Sequence, residues 1–245
     1  MRCFIYTGGE VFPDRIEERP APGDLVIAAD SGLRTAELFG VSPSLLLGDF
    51  DSLGTPPARD GLEILRVPAE KDVTDTQLAV EVALSRGADD LVIVGGLGGR
   101  LDHSLSNLAI LERLDGLRLP SAGVAIPSGS GSSGISSRSG RPVLKRTRFS
   151  RAGRKLPALL VSGSARVRFL RDDSLLLPRD GRFRFLSLIA ADRRLSGVTL
   201  RGVKYPLENA RINRTHQFAV SNEITSPAAF IDIRRGGAWI LECGE

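Results

Sequence analysis

The sequence has only two cysteines in 245 residues, Cys3 and Cys243, near opposite ends of the chain. Two are too few for a disulfide framework, so the fold is expected to rest on its own core in a reducing, cytoplasmic setting. No apolar run approaches the roughly 20 residues that cross a bilayer. The opening stretch passes straight into a strand pattern, without the apolar core and small-residue cleavage site of a secretory signal, so no membrane partner is expected. No internal repeat is convincing. Acid is missing from one whole stretch: between Gly116 and Arg171 there is no Asp or Glu, while twelve Lys and Arg fall there. The formal net charge of +4 therefore divides into +12 for this segment and −8 for the remainder. With 42% hydrophobic residues, the chain can bury a full core or two modest ones.

Within the acid-free stretch, residues 121–153 change composition, with Ser128-Gly129-Ser130-Gly131-Ser132-Ser133-Gly134 followed by an arginine-rich run. Glycine and serine cannot build a core, so a linker or insertion is expected over 120–156. The cations also suit nucleic acid or an acidic surface, but Phe149 is the one aromatic interleaved with them. A solvated linker is favoured, and nucleic acid is not expected as a partner.

Ahead of it, apolar runs at 3–6, 25–29, 45–47, 62–67 and 91–94 alternate with helical patterns. This is the signature of a parallel α/β sheet. One helix is expected from about 32 to 39, stopped by Gly40. A second has Thr74 as N-cap with Gln77 three residues on, and Gly87 at its end. A third carries Leu105, Leu108, Leu111 and Leu114 from about 104, and Gly116 closes it.

The informative residues follow the strands. Gly8 and Gly9 come after the first, Asp30-Ser31-Gly32 after the second, Asp49 and Asp51 after the third. Lys71-Asp72-Val73-Thr74-Asp75 follows the fourth, and Gly95-Gly96-Leu97-Gly98-Gly99-Arg100-Leu101-Asp102-His103 the fifth. A parallel sheet places all five strand ends on one edge, outside which its ligands bind. Glycines let backbone N–H groups approach phosphate, and helix N-termini favour anions. In extended chain Asp49 and Asp51 point the same way, their backbones roughly 6.6 Å apart. Such a pair suits Mg²⁺, which keeps several waters and takes one or two carboxylates plus substrate phosphates. Phe50 points the other way and can anchor the turn.

Each feature also has a plain structural explanation. Asp49 and Asp51 are good turn formers, Asp75 suits a first helical turn, and Asp102 and His103 can cap the next helix. Gly8 and Gly9 make a tight turn, Lys71 is a solvated charge, and Ser221-Asn222 is a turn pair. Trp239 is expected in the core.

From about 157 onward the helical period disappears. Short β-type runs at 166–170, 182–189, 216–220, 230–233 and 238–241 are broken by turns such as Pro178-Arg179-Asp180-Gly181 and Arg235-Gly236-Gly237. An antiparallel β-sandwich is expected. The expected organisation is an α/β domain over 1–119, the insertion over 120–156 and an all-β sandwich over 157–245.

These motifs together resemble the thiamine pyrophosphokinase family. The resemblance is carried by AADSG at 28–32, LLLGDFDSL at 45–53, EKDVTDTQLAVEVAL at 70–84, GGLGGRLDHSLSNLAIL at 95–111, GVTLRGVKYPLEN at 197–209 and VSNE at 220–223. Six motifs in order cover nearly the whole chain outside the insertion. The resemblance implies transfer of pyrophosphate from ATP, the co-substrate, to the hydroxyl of thiamine, giving thiamine diphosphate and AMP with Mg²⁺ required. It also implies a homodimer with active sites between subunits. Carried over by position, Asp30, Asp49, Asp51 and Asp75 are the metal-handling acids, and Asp49, Asp51, Asp75 and Arg100 the catalytic set. Gly8, Gly9, Asp72, Gly98, Gly99, Arg100, Asp102 and His103 fall to the nucleotide, and Ser221 and Asn222 to thiamine. Ser31 stands where the family often has glycine, and the insertion replaces a short connection. The α/β half leaves room for another alcohol, such as a hydroxymethylpterin, as acceptor, and the basic segment for a nucleotide-binding regulator.

Overall fold

The computed structural model describes residues 1–50, 59–68, 72–119 and 154–244. Asp51, Lys71 and Phe149 therefore lie outside the described residues. The apolar runs of the first half form strands β1 (Arg2–Tyr6), β2 (Leu25–Ala29), β3 (Leu45–Gly48), β4 (Glu63–Arg66) and β5 (Asp90–Val94). Their core residues are apolar at consecutive positions because a sheet covered on both faces has no solvent side. Cys3, Phe4, Ile5 and Tyr6 are all fully buried.

Helices α1 (Gly32–Leu38), α2 (Asp75–Ser85) and α3 (Leu101–Asp115) cover this sheet. Thr74 caps α2 by accepting from Gln77 N–H at 3.2 Å, the capping interaction that the spacing predicts. Ala79, Val80 and Ala83 of α2 and Ile110, Leu111 and Leu114 of α3 pack on Ile5, Ile27, Leu45 and Ile93. Ala36 and Leu33 of α1 cover the opposite face, against Phe4, Val92, Ala28 and Leu46. The third helix starts three residues earlier than expected, at Leu101. Its buried stripe is Asn107, Ile110, Leu111 and Leu114, spaced i, i+3, i+4, i+7. Leu105 falls off that stripe and is 57% exposed.

After α3 the short strands β6 (Arg118–Leu119) and β7 (Arg154–Lys155) pair antiparallel. The residues flanking the 120–153 segment are thus hydrogen-bonded to each other. Then β8 (Ala158–Val161) pairs in parallel with β5, a strand missing from the sequence-based reading. The remaining strands are β9 (Ala165–Arg171), β10 (Ser174–Pro178), β11 (Phe185–Ala190), β12 (Arg194–Arg201), β13 (Leu207–Asn213), β14 (Ala228–Arg235) and β15 (Gly237–Cys243). The run at 216–220 forms no strand; it touches its neighbours through isolated bonds such as Leu188 N–H to Ala219 O at 2.7 Å.

The sheet order is β11-β15-β9-β8-β5-β1-β2-β3-β4 in one nine-stranded sheet and β10-β14-β12-β13 in a second. The expected α/β layer followed by an antiparallel β-sandwich is present. The two parts share a sheet: β9, β15 and β11 extend the parallel strands in antiparallel fashion. On one face of this extension Phe169, Trp239 and Leu241 pack with the α2–α3 core. On the other, Leu170, Ala238 and Ile240 pack with Leu195, Ile231 and Ile233 of the second sheet. Trp239, half-buried, packs against the core, edge-on to Phe169 and donating from Nε1 to Leu108 O of α3 at 3.0 Å.

Candidate active site

The carboxyl edge of the parallel strands collects the loops singled out by sequence. The chain steps outward from β1 to β4 and returns at β5 on the other side of β1, so the topological switch lies between β1 and β5. There the backbones are stitched together. Thr7, Gly9 and Glu10 N–H groups donate to Val94, Gly95 and Leu97 carbonyls at 2.8–2.9 Å. A Cβ on Gly9 would lie 2.1 Å from Gly95 O, which explains the glycine by close approach. The Gly9 N–H is committed to this contact. Gly8 lies against Ser31, whose Oγ is 1.9 Å from an ideal Cβ placed there.

The β5–α3 loop supplies the exposed backbone. Gly95, Gly98 and Gly99 take φ of 76°, 80° and 65°, conformations that side chains disfavour. Buried Asn107 donates to Gly96 O at 2.8 Å and holds the loop from below. The sequence pattern does not mark Asn107; its burial beside the glycine loop does. Gly98 and Gly99 are exposed just before the N-terminus of the 15-residue α3, where a helix favours anions.

Arg100 and Asp102 engage each other. The guanidinium donates to both carboxylate oxygens, at 3.1 and 2.5 Å. This fork lowers the Asp102 pKa and raises that of Arg100, chiefly through the side-chain hydrogen bond. His103 N–H donates to the same carboxylate at 2.9 Å, so Asp102 and His103 belong to the first turn of α3.

Asp30, Asp49 and Asp75 are half-buried and Asp72 is exposed. Asp30 sits at φ 48° with its N–H on Leu47 O at 2.7 Å. A Cβ on Gly48 would stand 3.1 Å from that of Asp30, so the β2 and β3 loops touch where Asp30 and Asp49 emerge. Asp75 opens α2 directly after its Thr74 cap. The set is all oxygen and matches a hard cation that shares its coordination with waters and phosphates. Among the described residues no three His, Cys, Asp or Glu gather as a ready-made cage; the arrangement fits one or two carboxylates completed by substrate.

Phe50 is 3% exposed and anchors the turn as expected, at φ 66°. Left-handed backbone at an aromatic residue costs about 1–3 kcal/mol and persists where the surroundings over-determine it. Arg66, at the end of β4, lies over the Phe50 ring with its guanidinium carbon 5.2 Å from the centroid. It is an exposed cation at the acid-bearing edge, and no motif of the sequence points to it.

Ser221 and Asn222 lie elsewhere along the same edge. The peptide groups of Asn222 and Leu186 exchange hydrogen bonds at 2.8 and 2.9 Å, near the start of β11. The Asn222 side chain is buried: Oδ1 accepts from Tyr205 and Glu223 N–H, and Nδ2 donates to Tyr205 O at 2.8 Å. Its polar atoms are thus occupied in fixing the 205 loop. Ser221 is exposed, at φ 56°, its N–H held by Ser187 Oγ. β11 lies five strands from β1 and seven from β3, roughly 24 to 34 Å along the sheet at about 4.8 Å per strand.

A rim of glycines and acids on an α/β layer, continued into a sandwich with its own fixed loop, is an arrangement suited to a group-transfer enzyme. Two family descriptions match this chain in that order: "Thiamin pyrophosphokinase, catalytic domain" over residues 21–120 and "Thiamin pyrophosphokinase, vitamin B1 binding domain" over 174–236. The chain belongs to the thiamine pyrophosphokinase family, whose transferases form thiamine diphosphate. It is 26% identical over 217 residues to the thiamine pyrophosphokinase of Bacillus subtilis (strain 168), covering 86% of this chain and 84% of that protein. The fold is similar to crystal structures of thiamine pyrophosphokinases from Geobacillus thermodenitrificans (TM-score 0.73, 21% identity, 100% and 98% of the two chains) and Bacillus subtilis (TM-score 0.72, 21% identity, 100% of both).

Proposed function

We propose that this protein transfers the pyrophosphoryl group of ATP to the hydroxyl of thiamine, giving thiamine diphosphate and AMP. The observation that carries the reading is the sharing of one sheet edge by the glycine- and acid-bearing loops and the Ser221–Asn222 turn. The 1–119 part handles the nucleotide and the 157–245 part thiamine. Asp30, Asp49, Asp51 and Asp75 would hold Mg²⁺, which when bound neutralises charge on the phosphates.

The chain's own groups do the rest by alignment, the main source of catalysis in such transfers. Gly98, Gly99 and the α3 N-terminus bind phosphate oxygens through backbone N–H groups. Arg100, exchanging Asp102 for an oxyanion, offers a planar fork. The thiamine oxygen attacks the β-phosphorus, the bond to the α,β-bridging oxygen breaks, and the hydroxyl proton passes to a rim carboxylate. Asn222 acts at one remove, by holding the Tyr205 loop and the Ser221 turn.

Reacting atoms must come within about 3–3.5 Å, far less than the separation of the two rims in one chain, which supports a homodimer with composite sites. Leu101 and Leu105, 72% and 57% exposed, flank the nucleotide rim; Tyr205, Phe218 and Val220, 60%, 47% and 45% exposed, flank Ser221. A second copy would cover both. Free Cys3 and Cys243 suit a reducing cytoplasm; among the described residues no helix is long and apolar enough to cross a membrane.

Incubation with ATP, Mg²⁺ and thiamine should release AMP and thiamine diphosphate; ADP as product would overturn the reading. A hydroxymethylpterin should not compete. Mixing Asp49→Asn protein with Ser221→Ala protein should recover activity that neither has alone, if the sites are composite.

A further inference from the structure

At the end of the sandwich opposite the catalytic rim lies a concavity of about 990 Å³. β11 runs away from the rim, and the residues that follow it, the start of β12, and the ends of β13 and β14 form the walls. Arg193, Arg194, Arg214 and Arg235 line it, against one acid, Asp192. That carboxylate is engaged: it accepts from Arg171 at 2.6 Å and from Gly237 N–H at 2.9 Å.

The four arginines differ from five others of the same layers. Arg166, Arg168, Arg171, Arg182 and Arg201 of the same layers each hold a carboxylate. Among the described residues Arg193, Arg194, Arg214 and Arg235 have no hydrogen-bond or ion-pair partner for their guanidinium groups. The stretch from Gly116 to Arg171 holds no carboxylate that could pair with them. Like charges converging in a concave surface focus a positive potential, and their forks match phosphate oxygens in pairs.

The backbone beneath them is fixed. Arg214 N–H donates to Arg193 O at 3.1 Å. Gln217 ties this loop to the end of β11, accepting from Ala190 N–H at 3.2 Å and donating to Arg214 O at 3.1 Å. A Cβ on Gly236 would lie 2.9 Å from Arg194 O, so β14 closes tightly on the start of β12. The volume is within the range of small-molecule sites. No aromatic ring lines it, so a base finds no aromatic platform there, and recognition falls chiefly to phosphate groups.

We infer that this concavity is a second anion site, separate from the catalytic rim, that takes an oligophosphate chain. The phosphates can belong to an inorganic oligophosphate or to the tail of a nucleotide.

The test is amide hydrogen exchange on the full chain titrated with sodium tripolyphosphate and, separately, with ATP. Expected is protection of amides at 192–196, 213–215 and 235–237, weakening as salt rises. Protection by tripolyphosphate alone identifies an inorganic ligand; protection by both identifies the phosphate tail as sufficient. Arg194→Gln/Arg235→Gln should weaken this protection by about tenfold or more while leaving turnover unchanged, and Arg194→Lys/Arg235→Lys should retain part of it. Absence of protection, or equal protection in the Gln variant, would show ordinary solvated surface charge and overturn the inference. So would protection of these amides by single-stranded RNA at concentrations where tripolyphosphate gives none.

Discussion

In the parallel half, position is set mostly by backbone against backbone, with Gly9 on Gly95, Gly48 on Asp30 and three left-handed glycines before α3, and with buried Asn107 pinning Gly96. The antiparallel half relies more on side chains, buried Asn222 clamping Tyr205 and half-buried Gln217 clamping Ala190. The difference follows from connection geometry. Loops leaving parallel strands are neighbours at one edge and can interlock directly, whereas sandwich loops arrive from separate hairpins and need a side chain to bridge them. The first kind of site should fail through sterics and charge, the second through loss of a hydrogen bond.

The largest effect is expected at the acids. Asp49→Asn should lower kcat by on the order of 10²–10³, with an unchanged melting transition; activity near wild type would remove Asp49 from the rim's chemistry. Next, Gly9→Ala forces a methyl onto Gly95 O and should destabilise by about 1–3 kcal/mol, read by denaturant titration. Asn222→Ala removes three hydrogen bonds of a buried side chain and leaves the part-buried Tyr205 and Glu223 N–H groups unmatched, at a cost of about 1–3 kcal/mol. It should raise KM for thiamine while leaving KM for ATP alone, and equal changes in both would break the division of labour.

The smallest effect concerns Asp180. Arg182's hydrogen bonds, with help from its charge and that of Arg166, hold the Asp180 carboxyl at about 2 against an ordinary 3.8. A depressed folded pKa stabilises above the unfolded value and ceases to do so as pH falls through the folded one. Asp180→Asn should therefore be less stable than wild type at neutral pH, with the gap closing between about pH 4 and 2 in acid-denaturation curves.

The parallel half was the more legible. Its strands are continuous apolar runs, and its acids and glycines follow those runs directly. Thr74 and Gln77 announced α2 by spacing alone. Less was visible where packing decides. β8 is four residues after a proline, and its parallel pairing with β5 is a long-range fact. β12 and β13 are polar along one side and carry register shifts beside Gly197, which blurs alternation. The run at 216–220 has strand composition but follows the β11 edge with scattered bonds only. At the site, Asp30, Asp49 and Asp75 could be chosen by position, whereas Arg66 and Asn107 could not, because their relevance depends on Phe50 and Gly96 lying beneath or beside them. Asn222 is expected at thiamine by resemblance, and its side-chain hydrogen bonds run to the Tyr205 and Glu223 backbone, which no sequence pattern announces.

The β6–β7 pair has a consequence for how this chain can change. Because Arg118–Leu119 and Arg154–Lys155 already meet, the entropy of closing what lies between grows only logarithmically, by about 0.6 kcal/mol for each doubling of length. The junction works as a port. Sequence can be added, trimmed or rewritten there over evolutionary time at almost no thermodynamic penalty, and a tag or reporter domain inserted at that point should leave the enzyme's two halves in register.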